Sequence, residues 1–401
     1  MYAALVLYQT PLITPEIQER LAGLDQLRGR LGQQVGEAGQ WLGTLRRVLQ
    51  ASSIESSTSI EGFHVSPDDA VAIVTGRESL TPDDEGRQAV ACYARAMEHV
   101  GVMARDPAFQ WTDRVLLDLH FDACYFQRDK SPGQWRTGPI GVTGGNGRII
   151  YQAPEADDVP RLMSEIVAWL ESGNLDTHVV VRAAMAHLHV VSVHPFRDGN
   201  GRISRITQSL VLAREGLLSP EFASIEEYLG EHTSDYYNTL QEVQGGRYQP
   251  ERDATEWVSF CIDAHLAQAR RRLEQIEQAA ARWSFLEQLA EKRGWPDRFV
   301  IALEHALVGG TDRASYSDEA QISPASATND FRRLLDVGLL SQRGRGRNIR
   351  YHASDTLRRD VATAIETASR IGARVRPVSL APPDTVVEAH ADESEPATPE
   401  R

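Results

Sequence analysis

Hydrophobic residues recur every three or four positions through the first 126 residues of the chain, and clusters of proline and glycine separate the repeats. This period is typical of helices that bury one face. Alternating patterns, which would indicate strands, are almost missing before residue 135. The pattern predicts helices over about 15–35, 37–60, 67–75, 84–104 and 110–126.

The helical period breaks over residues 131–154, where glycines surround two short extended runs. This pattern predicts a β-hairpin. Its GGNG stretch at 144–147 could suggest a phosphate-binding loop, but no GK[ST] follows, and a hairpin turn is favoured. Helical periodicity then resumes, and it predicts helices over 157–172, 176–193, 202–215, 232–246 and, as a long charged connector, about 251–288.

Residues 315–354 change the pattern to helix, turn, helix, strand, a loop of glycine and arginine, and strand. That order predicts a winged helix-turn-helix domain, in which Gly338 ends the second helix. Its predicted core residues are Leu334, Leu335, Leu339 and Leu340. Its basic patch comprises Arg332, Arg333, Arg343, Arg345, Arg347 and Arg350. The patch could contact DNA or be the solvated face of a dimerisation or docking module, and the second interpretation is slightly favoured.

Composition narrows the class of protein. The 401 residues include 41% hydrophobic ones, which predicts a soluble globular chain of two or three domains. The net charge of -14 argues against broad nucleic-acid binding by the whole chain. No apolar run reaches a membrane-spanning length, and the N-terminal apolar patch lacks the basic residues of a signal peptide. Three cysteines without metal or redox spacing indicate reduced thiols and a cytoplasmic location.

The densest group of chemically active residues is HPFRDGNGRISR, residues 194–205. His194 is followed by proline, which disfavours helical geometry in the residue before it, and Phe196 is expected to anchor the loop in the core. A second helix is expected to begin near Gly201. The loop from Gly199 to Gly201 therefore precedes a helix N-terminus, where exposed N–H groups favour an anion and glycines let a phosphate approach.

Four charged or titratable side chains surround that loop. Arg202 and Arg205 lie three positions apart and so point to the same side, where they add positive charge that suits phosphate oxygens. Asp198 is an oxygen ligand suited to Mg²⁺. His194 has a pKa range that suits a general base. Together these residues predict a site for phosphate-transfer chemistry.

This segment resembles the motif of the Fic family, HPFx(D/E)GN(G/K)Rxx(R), at all nine defined positions. The resemblance extends over about residues 37 to 250. It implies a mostly α fold: a helical core with a β-hairpin flap, preceded by N-terminal helices and followed here by the small winged helix domain. Most Fic proteins transfer AMP from ATP to a protein hydroxyl and release pyrophosphate. Gly201 stands where a branch that includes phosphotransferases has lysine, which favours AMP transfer.

The resemblance also implies residue roles. His194 would deprotonate a Ser, Thr or Tyr hydroxyl of the target. Asp198 would hold Mg²⁺ between the α- and β-phosphates of ATP. Asn200, with the amides of Gly199 and Gly201, would cradle the α-phosphate.

Further roles follow from the same resemblance. Arg202 would grip the β-phosphate and Arg205 the γ-phosphate. The hairpin at 138–151 is similar to the family's flap, which aligns the target by strand addition. Residues 231–243 resemble the segment that closes the adenine pocket. The candidates in that segment are Tyr236, Tyr237 and Asn238.

An inhibitory motif of the family, (S/T)xxxE(G/N), is similar to residues 57–62. Its defined positions are Ser57, Glu61 and Gly62. A helix would deliver Glu61 at its C-terminal end, and Gly62 would stop that helix. The carboxylate would pair with Arg205 and hold ATP in a pose unsuited to in-line attack. The resting enzyme is expected to be slow.

The predicted division of the chain follows from these patterns. It comprises an N-terminal helical region at 1–105 with an inhibitory helix at 37–62, the Fic core at 106–250, a connecting helix at 251–288, the winged helix domain at 289–356, a C-terminal helix at 357–375 and a disordered, proline-rich and acidic tail at 376–401.

Other functions stay open from the sequence. The same site could remove AMP or transfer another nucleotide or a phosphate, and Glu61 could orient a water for AMP removal. The chain could also be a nucleotide-sensing transcription regulator that uses its winged helix, although the intact His194 argues against a mere sensor. Self-modification on a hydroxyl and homodimerisation are both plausible for this class.

Overall fold

A computed structural model describes residues 7–76, 84–144, 147–345 and 349–375 of the chain. The fold is mostly helical, with two short hairpins, as the sequence pattern predicts. None of the described helices is both long and apolar enough to cross a membrane. Arg347, part of the GGNG stretch and the predicted tail at 376–401 lie outside the described residues.

The N-terminal region contains α1 (Pro15–Glu37), α2 (Trp41–Ile60), α3 (Pro67–Val74) and α4 (Glu85–Arg105). Thr14 caps α1 through its hydroxyl, which accepts a hydrogen bond from the N–H of Ile17 at 3.3 Å. The second helix begins at residue 41 rather than 37, because Ala38 adopts an extended conformation and separates it from α1.

Residue Gly62 ends α2 as its sequence position predicts. Its φ of +87° is the left-handed conformation that glycine adopts without strain. The N–H groups of Gly62 and Phe63 bond to the carbonyls of Ser59 and Thr58, at 3.0 and 3.1 Å, and so satisfy the last turn of the helix. This ending places Glu61 at the C-cap, directly after the last residue of α2.

The central part of the fold contains α5 (Asp113–Cys124), β1 (Gly141–Thr143), β2 (Ile149–Gln152), α6 (Val159–Ser172), α7 (Val179–Val193) and α8 (Asn200–Glu215). The two strands form an antiparallel hairpin in which Val142 lies opposite Tyr151. The two helices α7 and α8 pack against each other at the centre, and almost every side chain on them is buried. Such all-round burial is typical of helices inside a large core.

The following helices are α9 (Pro220–Ala223), α10 (Glu226–Glu231), α11 (Thr233–Gln244) and α12 (Thr255–Lys292). The two short helices α9 and α10 are not predicted as separate elements, because they are too brief to show a hydrophobic period. The long helix α12 packs on α1, α7 and α11 with its first part. It extends beyond the predicted end at 288 and carries residues of both hydrophobic cores.

The C-terminal module has its own core, formed by buried residues between Leu286 and Val361. Its elements are α13 (Arg298–Leu307), α14 (Arg313–Glu319), α15 (Pro324–Asp336), β3 (Leu340–Arg343), β4 (Arg350–Ala353) and α16 (Asp355–Val375). From α14 to β4 the element order is the predicted one, and α13 is an additional helix. Three of the four predicted core leucines are buried and Leu335 is half-buried. The assignment as a winged helix stays a prediction.

Candidate active site

The loop between α7 and α8 forms the floor of a pocket of about 320 Å³. His194 ends α7 in a left-handed conformation, with φ of 51° and ψ of 58°. Phe196 is fully buried two residues later and stacks on the ring of His120, with 3.6 Å between ring centroids. The loop is therefore anchored at Phe196, as its apolar side chain predicts, and the polar residues on either side face the pocket.

His194 is arranged as a base. Its Nδ1 lies 3.0 Å from the carbonyl oxygen of Val191. A carbonyl can only accept, so Nδ1 carries the hydrogen and Nε2 keeps its lone pair. Burial lowers the pKa of His194 below its ordinary value of 6.5, although the carboxylates of Glu61 and Asp198 oppose that shift. The imidazole is accordingly neutral near pH 7, and it lines the pocket.

Asp198 stands beside His194 on the pocket wall. One carboxylate oxygen accepts from Gln127 Nε2 at 2.7 Å, and the other accepts from the N–H of Gly199 at 2.6 Å. Each oxygen keeps a lone pair, and the side chain is 37% exposed. No group of three or more His, Cys, Asp or Glu side chains among the described residues could hold a metal. The single carboxylate of Asp198, with a lone pair left on each oxygen, fits Mg²⁺, which is commonly held by one or two carboxylates together with substrate phosphates.

Two glycines of the loop lie close to neighbouring side chains. Gly199 has φ of +77°, and a Cβ there would lie 2.4 Å from Cys124 Sγ. At Gly201, a Cβ would lie 2.3 Å from Glu61 Oε1. The helix α8 begins at Asn200. The first N–H groups of this helix have no partner within it, and they lie at this loop. Gly199 therefore combines a left-handed backbone with a close neighbour, whereas the atoms nearest Gly201 are the ends of the Glu61 and Arg205 side chains.

The side chain of Asn200 braces the loop. Its Oδ1 accepts from the N–H of Phe196 and its Nδ2 donates to the carbonyl of Phe196, both at 2.9 Å. The predicted contact of Asn200 with a phosphate would therefore come from its backbone N–H rather than from its amide group.

Arg202 lies behind the loop rather than on the pocket wall. Its side chain is fully buried between the rings of Phe63 and Phe126, 5.3 and 5.5 Å from their centroids. Its Nη2 donates to Gln127 Oε1 at 2.8 Å, and it does not line the pocket. In this arrangement Arg202 supports Asp198 through Gln127 and through its own Nη2, 3.6 Å from Asp198 Oδ1, and its contact with a β-phosphate stays a prediction.

Arg205 is paired as the inhibitory motif predicts. Its Nη2 donates to Glu61 Oε1 at 2.8 Å, and its Nε donates to the hydroxyl of Ser57 at 2.7 Å. The guanidinium is 2% exposed. Its Nη1 has no hydrogen-bond partner among the described residues and lies 3.2 Å from the position of a Cβ on Gly201. A buried donor therefore faces the loop beside Glu61.

The three adenine-pocket candidates are placed differently. Tyr236 is buried, lines the pocket and donates to His187 Nε2 at 3.0 Å. His187 can accept that bond because burial lowers its pKa to about 3 and keeps the ring neutral. Tyr237 also lines the pocket and is 43% exposed. Asn238 is exposed and lies outside the pocket wall, so the structure does not bring it to the site.

Sequence reasoning missed residues that hold this loop. Arg136 is buried and donates to the carbonyl oxygens of His194, Gly138 and Pro154, at 2.8, 2.9 and 2.6 Å. It thereby ties the base of the hairpin to the end of α7. The sequence signal for this role is an arginine within a stretch rich in glycine and proline, where a side chain with several donors can bind backbone carbonyls.

His120 is a second supporting residue. Its Nδ1 accepts from the N–H of Gly133 at 2.8 Å, so its Nε2 donates to the carbonyl of Asp198 at 3.0 Å. Burial lowers the pKa of His120 to about 4, which keeps this pattern of one donor and one acceptor at neutral pH.

Comparison with known proteins agrees with this arrangement. Residues 110–212 match the family described as Fic/DOC. The matched residues include the loop between α7 and α8. Glu61, Tyr236 and Tyr237 lie outside the matched residues and line the same pocket. Ser57, also outside them, accepts a hydrogen bond from Arg205.

Curated relatives carry the name protein adenylyltransferase Fic. The protein of that name from Aedes aegypti is 28% identical over 236 residues, which are 58% of this chain and 44% of that protein. The one from Drosophila erecta is 27% identical over 248 residues, which are 58% of this chain and 45% of that protein. The chain thus spans less than half the length of these relatives.

Solved structures show the same fold. A Fic family protein from Desulfovibrio desulfuricans G20 has a TM-score of 0.56 at 23% identity, over 87% of this chain and 99% of that one. Fic-1 from C. elegans has a TM-score of 0.53 at 21% identity, over 66% of this chain and 74% of that one.

Proposed function

We propose that this protein is a protein adenylyltransferase. It would transfer AMP from ATP to a Ser, Thr or Tyr hydroxyl of a target protein and release pyrophosphate. The observation that carries the proposal is the neutral His194, with Nε2 free, in one pocket with Asp198 and the N-terminus of α8. The names of the curated relatives support the same activity.

The geometry suggests how the residues divide the reaction. The N–H groups of Asn200 and Gly201, at the start of α8, would bind the α-phosphate, since the N–H of Gly199 donates to Asp198. His194 Nε2 would take the proton of the target hydroxyl while its oxygen forms a bond to the α-phosphorus, and the bond from that phosphorus to pyrophosphate breaks. Bound Mg²⁺ would supply positive charge between the phosphates, and Asp198 is the residue placed to hold it.

The hairpin suggests how a target is aligned. Gln152 of β2 bridges to Arg247 on the outer side of that strand, and Gly141, Val142 and Thr143 of β1 line the pocket. A target segment could add to the edge of β1 by backbone hydrogen bonding, as predicted from the resemblance. Its hydroxyl would then face His194.

Inhibition by Glu61 belongs to the same proposal. The carboxylate lines the pocket and occupies Nη2 of Arg205. A γ-phosphate would need that donor, and its charge would repel the carboxylate. ATP would bind in a pose without in-line geometry until Glu61 leaves. Because Glu61 and His194 line one pocket, removal of AMP through a water held by Glu61 is the alternative reaction.

The test uses ATP labelled at the α-phosphate, with Mg²⁺ and a mixture of candidate proteins. Three forms are compared: wild type, Glu61→Gly, and Glu61→Gly combined with His194→Ala. Strong labelling of protein by Glu61→Gly alone is expected. Transfer of label from the γ-position instead would indicate phosphoryl transfer. No transfer from either position would refute adenylyl transfer and leave AMP removal or nucleotide sensing.

A second candidate function concerns the C-terminal module. Four arginines are exposed on α15, on β3 and in the loop after β3. They are Arg332, Arg333, Arg343 and Arg345. Duplex DNA is the partner that such a face after a helix-turn-helix would fit, and fluorescence anisotropy with random-sequence duplex at two salt concentrations tests it. Absence of salt-dependent binding would favour a docking or homodimer role. We also propose that the protein modifies one of its own hydroxyl groups and that it is located in the cytoplasm.

A further inference from the structure

The guanidinium of Arg202 is fully buried and has fewer hydrogen-bond partners than donors. Its Nη2 donates to Gln127 Oε1 at 2.8 Å, but Nε and Nη1 have no partner among the described residues. Burial of a charged donor without an acceptor is unfavourable. Phosphate oxygens are the acceptors that a guanidinium binds with several N–H groups at once. Arg202 therefore keeps two donors that a phosphate could satisfy.

Two aromatic rings stand where those acceptors are missing. The Cζ of Arg202 lies 5.3 Å from the ring centroid of Phe63 and 5.5 Å from that of Phe126. The two rings meet edge to face, with 5.3 Å between their centroids. Both distances to Arg202 are those of a cation–π contact, which is stronger when the cation is removed from water. The phenylalanines are half-buried whereas the guanidinium is not exposed, so the rings are part of its cover.

Phe63 belongs to the same turn as Glu61, the residue proposed to inhibit the site. The N–H groups of both residues donate to the carbonyl of Thr58, each at 3.1 Å. Glu61 accepts from Arg205 at 2.8 Å, and the ring of Phe63 contacts Arg202, three residues earlier on α8. One hydrogen-bonded turn at the end of α2 thus engages both arginines that follow the loop.

The buried guanidinium lies directly behind the pocket wall. Its Nη2 is 3.6 Å from Asp198 Oδ1 and 3.4 Å from the position of a Cβ on Gly199, and both of these residues line the pocket. An arginine side chain has several staggered rotamers, so a change of rotamer would carry its N–H groups past Asp198 into the pocket. There they would meet a phosphate next to the residue proposed to hold Mg²⁺.

We propose that Phe63 is a second inhibitory contact of this site, whose ring holds Arg202 behind the pocket wall and away from the β-phosphate of a nucleotide. The inference rests on the proposed function. Because Phe63 and Glu61 share one turn, a movement of the end of α2 that releases Arg205 for the γ-phosphate also releases Arg202. The two cations therefore become available to a nucleotide together.

The experiment measures the affinities for AMP and ADP by calorimetry, with Mg²⁺ present, in wild type and in Phe63→Ala. ADP has a β-phosphate and AMP lacks it, so the ratio of the two affinities reports contact with that phosphate. Neither nucleotide has a γ-phosphate, so the proposed contact of Arg205 does not enter. The matched control is His64→Ala, which changes the exposed next residue. Phe63→Ala combined with Arg202→Ala tests whether any gain depends on the arginine.

We expect Phe63→Ala to raise the affinity for ADP about three- to tenfold, the value of one cation–π contact, and to leave AMP binding unchanged. The gain should disappear when Arg202→Ala is added, and His64→Ala should leave the ratio unchanged. An unchanged ratio in Phe63→Ala, a parallel change for both nucleotides, or a gain that persists without Arg202 would overturn the inference. If Phe63→Ala does not fold, Phe63→Leu, which keeps an apolar side chain but removes the ring face, decides by the same ratio.

These titrations, set beside the labelling assay, separate this inference from the proposed function. If Glu61→Gly transfers the α-label but Phe63→Ala leaves the ratio of affinities unchanged, adenylyl transfer holds and the second inhibitory contact is refuted. If the ratio rises and the rise depends on Arg202, but no form of the protein transfers the label, the contact holds and adenylyl transfer is refuted.

Discussion

The substitution Glu61→Gly tests the central contact of the site, because activity and stability should change in opposite directions. The carboxylate is 20% exposed and Arg205 1% exposed in their side chains, at a distance of 2.8 Å. A charge-assisted hydrogen bond of this kind contributes about 1.5–3 kcal/mol. ATP must break it to bind productively, so its removal should raise kcat/KM by about 10- to 100-fold.

The stability of the free protein should fall in the same variant. Arg205 keeps its two bonds to Ser57 but loses its ionised partner in the pocket. We expect the free energy of unfolding to decrease by about 1–3 kcal/mol, and ATP with Mg²⁺ to restore more stability than in wild type. Urea unfolding with and without nucleotide measures both effects.

Initial rates of α-label incorporation at low ATP measure the gain in kcat/KM. Glu61→Ala separates the loss of the carboxylate from the loosening of the helix end by glycine. Glu55→Ala, on the same helix and outside the pocket wall, is the control and should leave the rate unchanged. A folded Glu61→Gly protein with unchanged or lower activity would refute inhibition by Glu61.

Three further predictions concern other parts of the molecule. Protonation of His194 abolishes the base, and burial lowers its pKa, so kcat/KM of the activated enzyme should fall only at pH values below 6.5; an acid-limb midpoint at or above 6.5 would contradict this. Gly199→Ala should lower the free energy of unfolding by about 1–3 kcal/mol, because the added Cβ collides with Cys124 Sγ. Adding Cys124→Ala to this variant should restore part of that loss. If the effects of the two substitutions in urea unfolding are simply additive, the contact is not the cause. Arg47→Ala breaks an ion pair at 3.1 Å with Glu319 that joins α2 to the C-terminal module. Because both side chains are about one-third exposed, the free energy of unfolding measured by thermal unfolding should fall by less than about 1 kcal/mol. A fall of more than about 2 kcal/mol would show a coupling that exposure does not explain.

Much of the loop chemistry could be predicted from the sequence because it depends on neighbours in the chain. His194 before proline ends a helix, Phe196 anchors the loop, and Gly199 adopts the left-handed conformation that admits the turn into α8. The same holds at the end of α2, where Gly62 stops the helix and leaves Glu61 facing the pocket. Backbone geometry over a few residues is set by residue type, so these features can be predicted from the sequence alone.

Tertiary packing decided the rest. A spacing of three predicts that Arg202 and Arg205 share a side of α8, yet Arg202 is held between two aromatic rings and Arg205 by Ser57 and Glu61. Asn238 follows Tyr237 in the sequence but turns to solvent.

The supporting residues come from distant parts of the chain. Arg136 lies 58 positions from the carbonyl it binds at His194, and His120 lies 78 positions from the carbonyl it binds at Asp198. A long polar side chain has several rotamers that its local backbone permits, and only the surrounding helices select one, by burying it and supplying its hydrogen-bond partners. The sequence therefore determined which chemical groups the loop between α7 and α8 contains, whereas the packed structure determined which way each of them points.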